Sequence, residues 1–226
     1  MTIHLQREIQ SLNRSLLGLG ALVEDSLFRA IRAVVSRDAV LAASVVEIDS
    51  TIDRTEVEVE EECLKLLALH QPVAGDLRFI VAVLKINNDL ERIGDLAQNI
   101  AKRALRLSQL PEVRSPFDYQ GMAEQVKSML RNALQALVTV DTALARGVLA
   151  ADDDVDRINK EMYRVVQESI RKQPEYLENF IFFLSVSRNL ERIADHATNI
   201  AEDVIYMVEG QIVRHGLGRP EIEQVD

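Results

Sequence analysis

Carboxylates stand four residues apart at several places in this chain. Glu91, Asp95 and Asn99 occupy one face of any helix that carries them, and Glu191, Asp195 and Asn199 repeat the arrangement exactly one hundred positions on. A second acid-rich segment contains Asp49, Asp53, Glu56 and Glu60, and its later counterpart contains Asp152 and Asp156, with Asn159 where Glu56 would fall. At about 100° per residue each acid-x-x-x-acid pair stacks its carboxylates on one side of a helix. Such like-charge pairs destabilise a helix by about 0.2 to 0.5 kcal/mol each.

A cation relieves that repulsion. If two such helices pack side by side, their paired acids offer several hard oxygen ligands, the donor set of magnesium, manganese or calcium and one that iron accepts. The competing reading is an outward charged face that is simply solvated. Four pairs at matching positions favour the metal. The eight ligand candidates are Asp49, Asp53, Glu91, Asp95, Asp152, Asp156, Glu191 and Asp195, with Asn99 and Asn199 as secondary candidates. The later site is the weaker one, because Asn159 and Tyr163 replace Glu56 and Glu60. Arg54, Arg92, Arg157 and Arg192 follow acids and are expected to bridge to neighbouring helices. His196 adjoins Asp195, but its angular offset points to a surface or interhelical role.

Other chemistries lack their residues. A carboxylate-bridged di-iron bundle uses a Glu-x-x-His motif, and none of the four histidines has a glutamate three residues before it. Neither a P-loop nor a dinucleotide-binding glycine motif occurs. Cys63 lies on the apolar side of its helix near Val59 and Leu66, where a thiol is inert. A plain acidic docking module remains the third reading, and metal content separates it from the first.

The elements that position these acids come from a duplication. Residues 89–101 read DLERIGDLAQNIA and residues 189–201 read NLERIADHATNIA, with nine of thirteen positions identical. Asp38 matches Asp141 and Asp53-Arg54 matches Asp156-Arg157 at an offset of 103, whereas Gln71-Pro72 matches Gln173-Pro174 at 102. The second copy has therefore lost a few residues, expected in a helix-to-helix connection. Each copy predicts three helices, about residues 3–36, 38–69 and 72–107 in the first, and 122–145, 148–172 and 174–209 in the second. Pro72 and Pro174 are expected to open the third helix of each set. Core stripes at spacings of three and four run through Ile86, Leu90, Ile93, Ala97, Ile100 and Ala104, and through Leu190, Ile193, Ala197, Ile200 and Val204.

The predicted fold is all-α, two tandem three-helix bundles: residues 1–110, a linker at 111–121 rich in turn formers, residues 122–210, and a frayed tail at 211–226. Five prolines and nine glycines in 226 residues are too few for an all-β chain. A net charge of −10 makes nucleic acid a poor partner. One cysteine allows no internal disulfide, and the N-terminus has no apolar run like that of a secretory signal, so a cytoplasmic location is expected. No apolar stretch reaches the roughly 20 residues that span a bilayer, so membrane association is expected only through partners.

LERIGDLAQNIAK at residues 90–102 and LERIADHATNIAE at 190–202 resemble the paired signatures of the PhoU family. QPVAGDLR at 71–78, IDSTIDRTEVEVEEE at 48–62 and YMVEGQIVRH at 206–215 resemble that family's other segments, so the resemblance covers essentially the whole chain in order. It implies tandem three-helix bundles, commonly a homodimer, with multinuclear metal sites of divalent or ferric ions, magnesium, manganese, iron, zinc or calcium, on the eight acids. It also implies a non-enzymatic negative regulator of phosphate uptake and phosphate-starvation signalling. The implied partners are a Pst-type phosphate ABC transporter, through its ATPase subunit, and a PhoR-type sensor histidine kinase. KQPEYLENF at 172–180 lacks the VAGDLR of the first copy, so partner contacts are expected to differ between the halves.

Overall fold

The computed structural model describes residues 3–211, which form six long helices and, among the described residues, no strand. They are α1 (Ile3–Ser36), α2 (Ala39–His70), α3 (Ala74–Gln109), α4 (Tyr119–Thr139), α5 (Thr142–Lys172) and α6 (Leu177–Glu209), with a short 3-10 turn, Pro174–Tyr176, before α6. No helix among these residues is long and apolar enough to cross a membrane. The expected tail and the end of the YMVEGQIVRH segment lie outside the described residues.

Aspartates set the helix starts. Asp38 Oδ1 accepts from the backbone N–H of Val40 and Leu41, both at 2.9 Å, and Asp141 Oδ1 accepts from Ala143 and Leu144 at 2.9 and 3.0 Å. Each satisfies donors that a helix leaves unpaired in its first turn. Arg37 and Val140, immediately before these caps, are left-handed at φ 55 and 56. The second copy therefore breaks at Val140-Asp141, corresponding to Arg37-Asp38, and not between residues 145 and 148 as the sequence pattern suggests. Gly147 lies inside α5.

The prolines stand just outside the third helices. Pro72 is in the turn between α2 and α3, where Gln71 and Ala74 take positive φ, and Pro174 opens the 3-10 turn before α6. The linker is shorter than expected because Asp118 caps α4 through the N–H of Gly121 at 3.0 Å. Phe117, Tyr119 and Phe183 form a chain of ring contacts at 5.3 and 5.6 Å. Part of the shortening in the second copy falls in a helix, since α5 has 31 residues and α2 has 32.

Both predicted stripes are fully buried on α3 and α6. These two helices pack against each other and belong to one continuous core shared by both triplets. They run antiparallel: Lys85 pairs with Asp203 at 3.2 Å, Asp89 meets His196 and Asn199 midway, and Arg103 Nε donates to Ser185 Oγ at 3.2 Å. The first and last contacts are equivalents at an offset of one hundred, so the copies meet as the halves of a two-fold interface do. Arg131 on α4 pairs with Glu24 on α1 at 2.6 Å.

Asp141→Ala removes the cap that starts α5. It is expected to lower stability by about 1 kcal/mol, read as a lower urea midpoint at unchanged slope, with Asp38→Ala behaving alike.

Candidate metal centre

Packing of α2 against α3, and of α5 against α6, sets the predicted acids face to face. In the first copy Asp49 and Asp53 on α2 look toward Glu91 and Asp95 on α3, and the charges couple across the seam. Asp49 titrates above its usual range through burial, helped by Asp53 and Asp95 and opposed by Lys102 and a hydrogen bond from Gln98. Glu91 is raised by burial and Asp95, with Arg92 opposing and Glu56 and Asp53 adding. Glu56 is raised by burial, Glu60 and Asp53, with Arg92 opposing.

In the second copy, burial with Asp195, Asp156 and Asp153 pushes Asp152 up to about 6. Glu191 is raised by burial, Asp195 and Asp156, with Arg188 opposing before a last contribution from Asp152. Asp195 is raised by burial and Asp156 and lowered by His196 and Arg192. Burial first, and then the charge of neighbouring acids, thus disfavours ionisation of Asp49 and Glu91 on one face and of Asp152, Glu191 and Asp195 on the other. Asp49, Glu91, Asp95, Asp152, Asp156 and Glu191 are half-buried at the helix seam, whereas Asp53 and Asp195 are exposed.

The helices come this close because of the residue beneath the acids. Gly94 lies between Glu91 and Asp95, and a Cβ there would sit 3.1 Å from Ile52 Cγ2 and 3.3 Å from its Cδ1. Ile52 precedes Asp53, so one apolar contact registers both acid rows. Ala194, fully buried, occupies the equivalent place in the second copy.

The oxygens do not converge. Among the described residues, no three of these side chains bring ligand atoms within 4.8 Å of one another, as expected of like charges that repel across a seam. Glu91 Oε2 is nevertheless buried without a hydrogen bond, its nearest cation being Arg92 Nε at 3.4 Å. A donor set of carboxylate oxygens with one buried oxygen unsatisfied fits a hard cation. Rotation of these side chains about χ1 and χ2 is what coordination would require.

Several residues near the faces depart from their expected roles. Arg92 reaches Asp95 at 3.6 Å and Arg157 reaches Asp154 at 2.9 Å, so both bridge within their own helices and not to neighbours. Lys160 lies 3.7 Å from Asp156. Asn199 Nδ2 donates to Asp89 Oδ1 at 3.2 Å and His196 Nδ1 lies 2.8 Å from the same oxygen. Both belong to the junction of the copies, which engages the amide nitrogen of Asn199 and gives His196 its interhelical role. Cys63 is fully buried, and burial with Glu62 and Glu60 pushes its thiol up to about 12, so it stays protonated and inert.

Supporting residues were not visible in the spacing. Gln98 donates to Asp49 and is itself held by Lys102. Asn87, buried, donates from Nδ2 to the backbone oxygen of Glu56 at 2.9 Å and to its Oε1 at 3.1 Å. At the equivalent positions Ser187 Oγ donates to Asn159 Oδ1 at 2.9 Å. The offset alignment that pairs Asn87 with Ser187 and Glu56 with Asn159 carries the signal that could have found them.

The PhoU domain model matches residues 16–104 and 119–204, one copy each. A phosphate-specific transport system accessory protein PhoU homolog of Pseudomonas putida is 40% identical over 220 residues, covering 96% of this chain and 85% of that protein. The homolog from Aquifex aeolicus is 37% identical over 209 residues, covering 92% and 95%. Among solved structures, PhoU from Pseudomonas aeruginosa superposes with a TM-score of 0.87 at 39% identity over 91% of this chain and 99% of that one. The phosphate transport system regulatory protein PhoU from Streptococcus pneumoniae gives 0.83 at 30% identity over 92% and 99%.

Two outcomes are expected of this geometry. Between the unfolded aspartate value, about 4, and the folded value of about 6, native Asp152 binds more protons than the unfolded chain. Its contribution to stability therefore falls as pH rises through that window. In chelator-treated protein, Asp152→Asn should raise the melting temperature at pH 7 to 8 and leave it near wild type at pH 4, as thermal melts across pH would show. Gly94→Val should lower stability by about 1 to 3 kcal/mol through overpacking against Ile52, read by urea denaturation.

Proposed function

The chain belongs to the PhoU family, and from that membership we propose that it restrains phosphate uptake and phosphate-starvation signalling as a metal-binding adaptor. The family is one of accessory and regulatory proteins, not of enzymes. The observation that carries the reading is the match of both copies along nearly the whole chain to relatives named for the phosphate transport system. The proposed partners are the ATPase subunit of a Pst-type phosphate ABC transporter and a PhoR-type sensor kinase, met in the cytoplasm by a homodimer.

The acid faces supply the physical part of the proposal. Divalent or ferric ions, magnesium, manganese, iron, zinc or calcium, held by Asp49, Asp53, Glu91 and Asp95, and by Asp152, Asp156, Glu191 and Asp195, would offset the burial and mutual repulsion that raise several of these carboxyls. Metal release would turn each face into an anionic patch. That change of charge is a means of altering affinity for a protein surface without altering the fold.

One observation favours a second reading, an acidic docking module that needs no metal: the ligand oxygens of each face stand apart, and Arg92 already neutralises part of the first face. Elemental analysis separates the two. Protein purified without chelator should carry at least one metal per chain, and absence of metal with no uptake on titration would leave the docking module.

In the source organism, deletion is expected to raise phosphate accumulation and phosphate-responsive expression, with the wild-type chain restoring both. A chain with Asp49→Asn, Asp95→Asn, Asp152→Asn and Asp195→Asn should restore neither if metal is required. Unchanged accumulation in the deletion strain would count against the regulatory role itself.

A further inference from the structure

At one end of the first triplet, His4 and Glu8 project from the first turns of α1 beside His70, the last residue of α2. His70 lies 17 residues beyond Asp53, about 25 Å along the helix at 1.5 Å per residue, so this cluster is separate from the acid faces. Glu8 Oε2 is 2.5 Å from His70 Nε2, and Glu8 Oε1 is 3.7 Å from His4 Nδ1. The two imidazole centroids are 5.8 Å apart and tilted by 46°. One ligand atom from each of the three residues falls within 4.8 Å of the other two, which is true of no other trio of histidine, cysteine or acid among the described residues.

We propose that His4, Glu8 and His70 form a second metal site, specific for an ion of the zinc class and distinct in chemistry from the acid faces. Tetrahedral zinc holds nitrogen and oxygen ligands at about 2.0 to 2.2 Å, which places ligand atoms roughly 3.4 Å from one another, inside the range of the separations here. Two imidazoles and one carboxylate select zinc, cobalt, nickel or copper over magnesium and calcium, which take oxygen. The set leaves a fourth position open, the pattern of sites that exchange a water or an added ligand.

The surroundings agree with this assignment. His4 and Glu8 are four apart on one helix, so one face presents both. His70 ends α2, where the free carbonyls favour positive charge. A groove lined by His4, Arg7, Glu8, Ser11, Arg14 and Glu62 gives access from solvent. Glu62 adds to the attraction for a cation, whereas Arg7 and Arg14 oppose it from exposed positions. A simple clamp between α1 and α2 would need only His70 and Glu8. The exposed His4 ring facing the same carboxylate is the feature that a clamp leaves without a purpose.

Binding would pin the start of α1 to the end of α2, immediately before the Gln71–Val73 turn. The test uses untagged full-length protein stripped with chelator and titrated with cobalt, whose visible absorption reports tetrahedral nitrogen ligation. Wild type should develop that absorption, saturate at one equivalent per chain, and lose it on adding zinc. The equivalent should persist in Asp49→Asn/Asp95→Asn and disappear in His4→Gln/His70→Gln. His4→Gln alone, at an exposed position that the fold does not depend on, should weaken cobalt binding by about tenfold or more. Absence of the absorption in wild type, or the same titration in wild type and in folded His4→Gln, would overturn the proposal.

Discussion

A contact between Ile52 and the bare backbone at Gly94 sets the distance on which the acid face of the first copy depends. Carboxylates on two helices repel, and in isolation the helices would slide or part. They stay together because the seam beneath them is apolar and buried, and burying a side chain such as isoleucine is worth about 1.5 to 3 kcal/mol. Repulsion among partly solvated charges is smaller than that. The core therefore holds the acids against their own preference, and burial together with the neighbouring acids raises Asp49, Glu56 and Glu91.

The same arrangement occurs twice because the chain is two copies related by a two-fold, with α3 and α6 as the shared centre. Contacts across that junction are equivalent in position but not in chemistry. Lys85 with Asp203 is an ion pair, one partner of which is almost fully buried, while Arg103 with Ser185 is a single hydrogen bond. Asp89 gathers His196 and Asn199 between them. Because one continuous core runs through both triplets, a change of charge at either acid face acts on helices that also carry the junction.

The copies have diverged around their acid faces. In the first, Gln98 and Lys102 brace Asp49, and Asn87 holds Glu56 at the seam. In the second, Asn159 replaces the glutamate, Ser187 holds it, and Asp152, which has no such brace among the described residues, is pushed up to about 6 by burial and its acidic neighbours. Removing an acid from the ring lowers the negative charge available to a cation, whereas removing a brace leaves the remaining acids more strained. The two faces therefore differ in charge and in sensitivity to pH.

Periodicity and duplication were enough to establish six helices, the buried stripes of α3 and α6, and the four acid pairs, because a helix face is a local property that recurs every three or four residues. The match of Asp38 to Asp141 also contained the correct break between α4 and α5, which the expected helix bounds at residues 145 and 148 missed. Tertiary structure alone decided what each polar residue faces. Asn199 has the same helical register as Asn99 and follows the second acid pair, yet it turns to Asp89 on the other copy. Arg92 and Arg157 stay on their own helices. His4, Glu8 and His70 are brought together by a helix hairpin that joins positions more than sixty residues apart. Such encounters depend on how helices are rotated against one another, and rotation is set by the summed packing of many apolar side chains, which no single spacing in the sequence records.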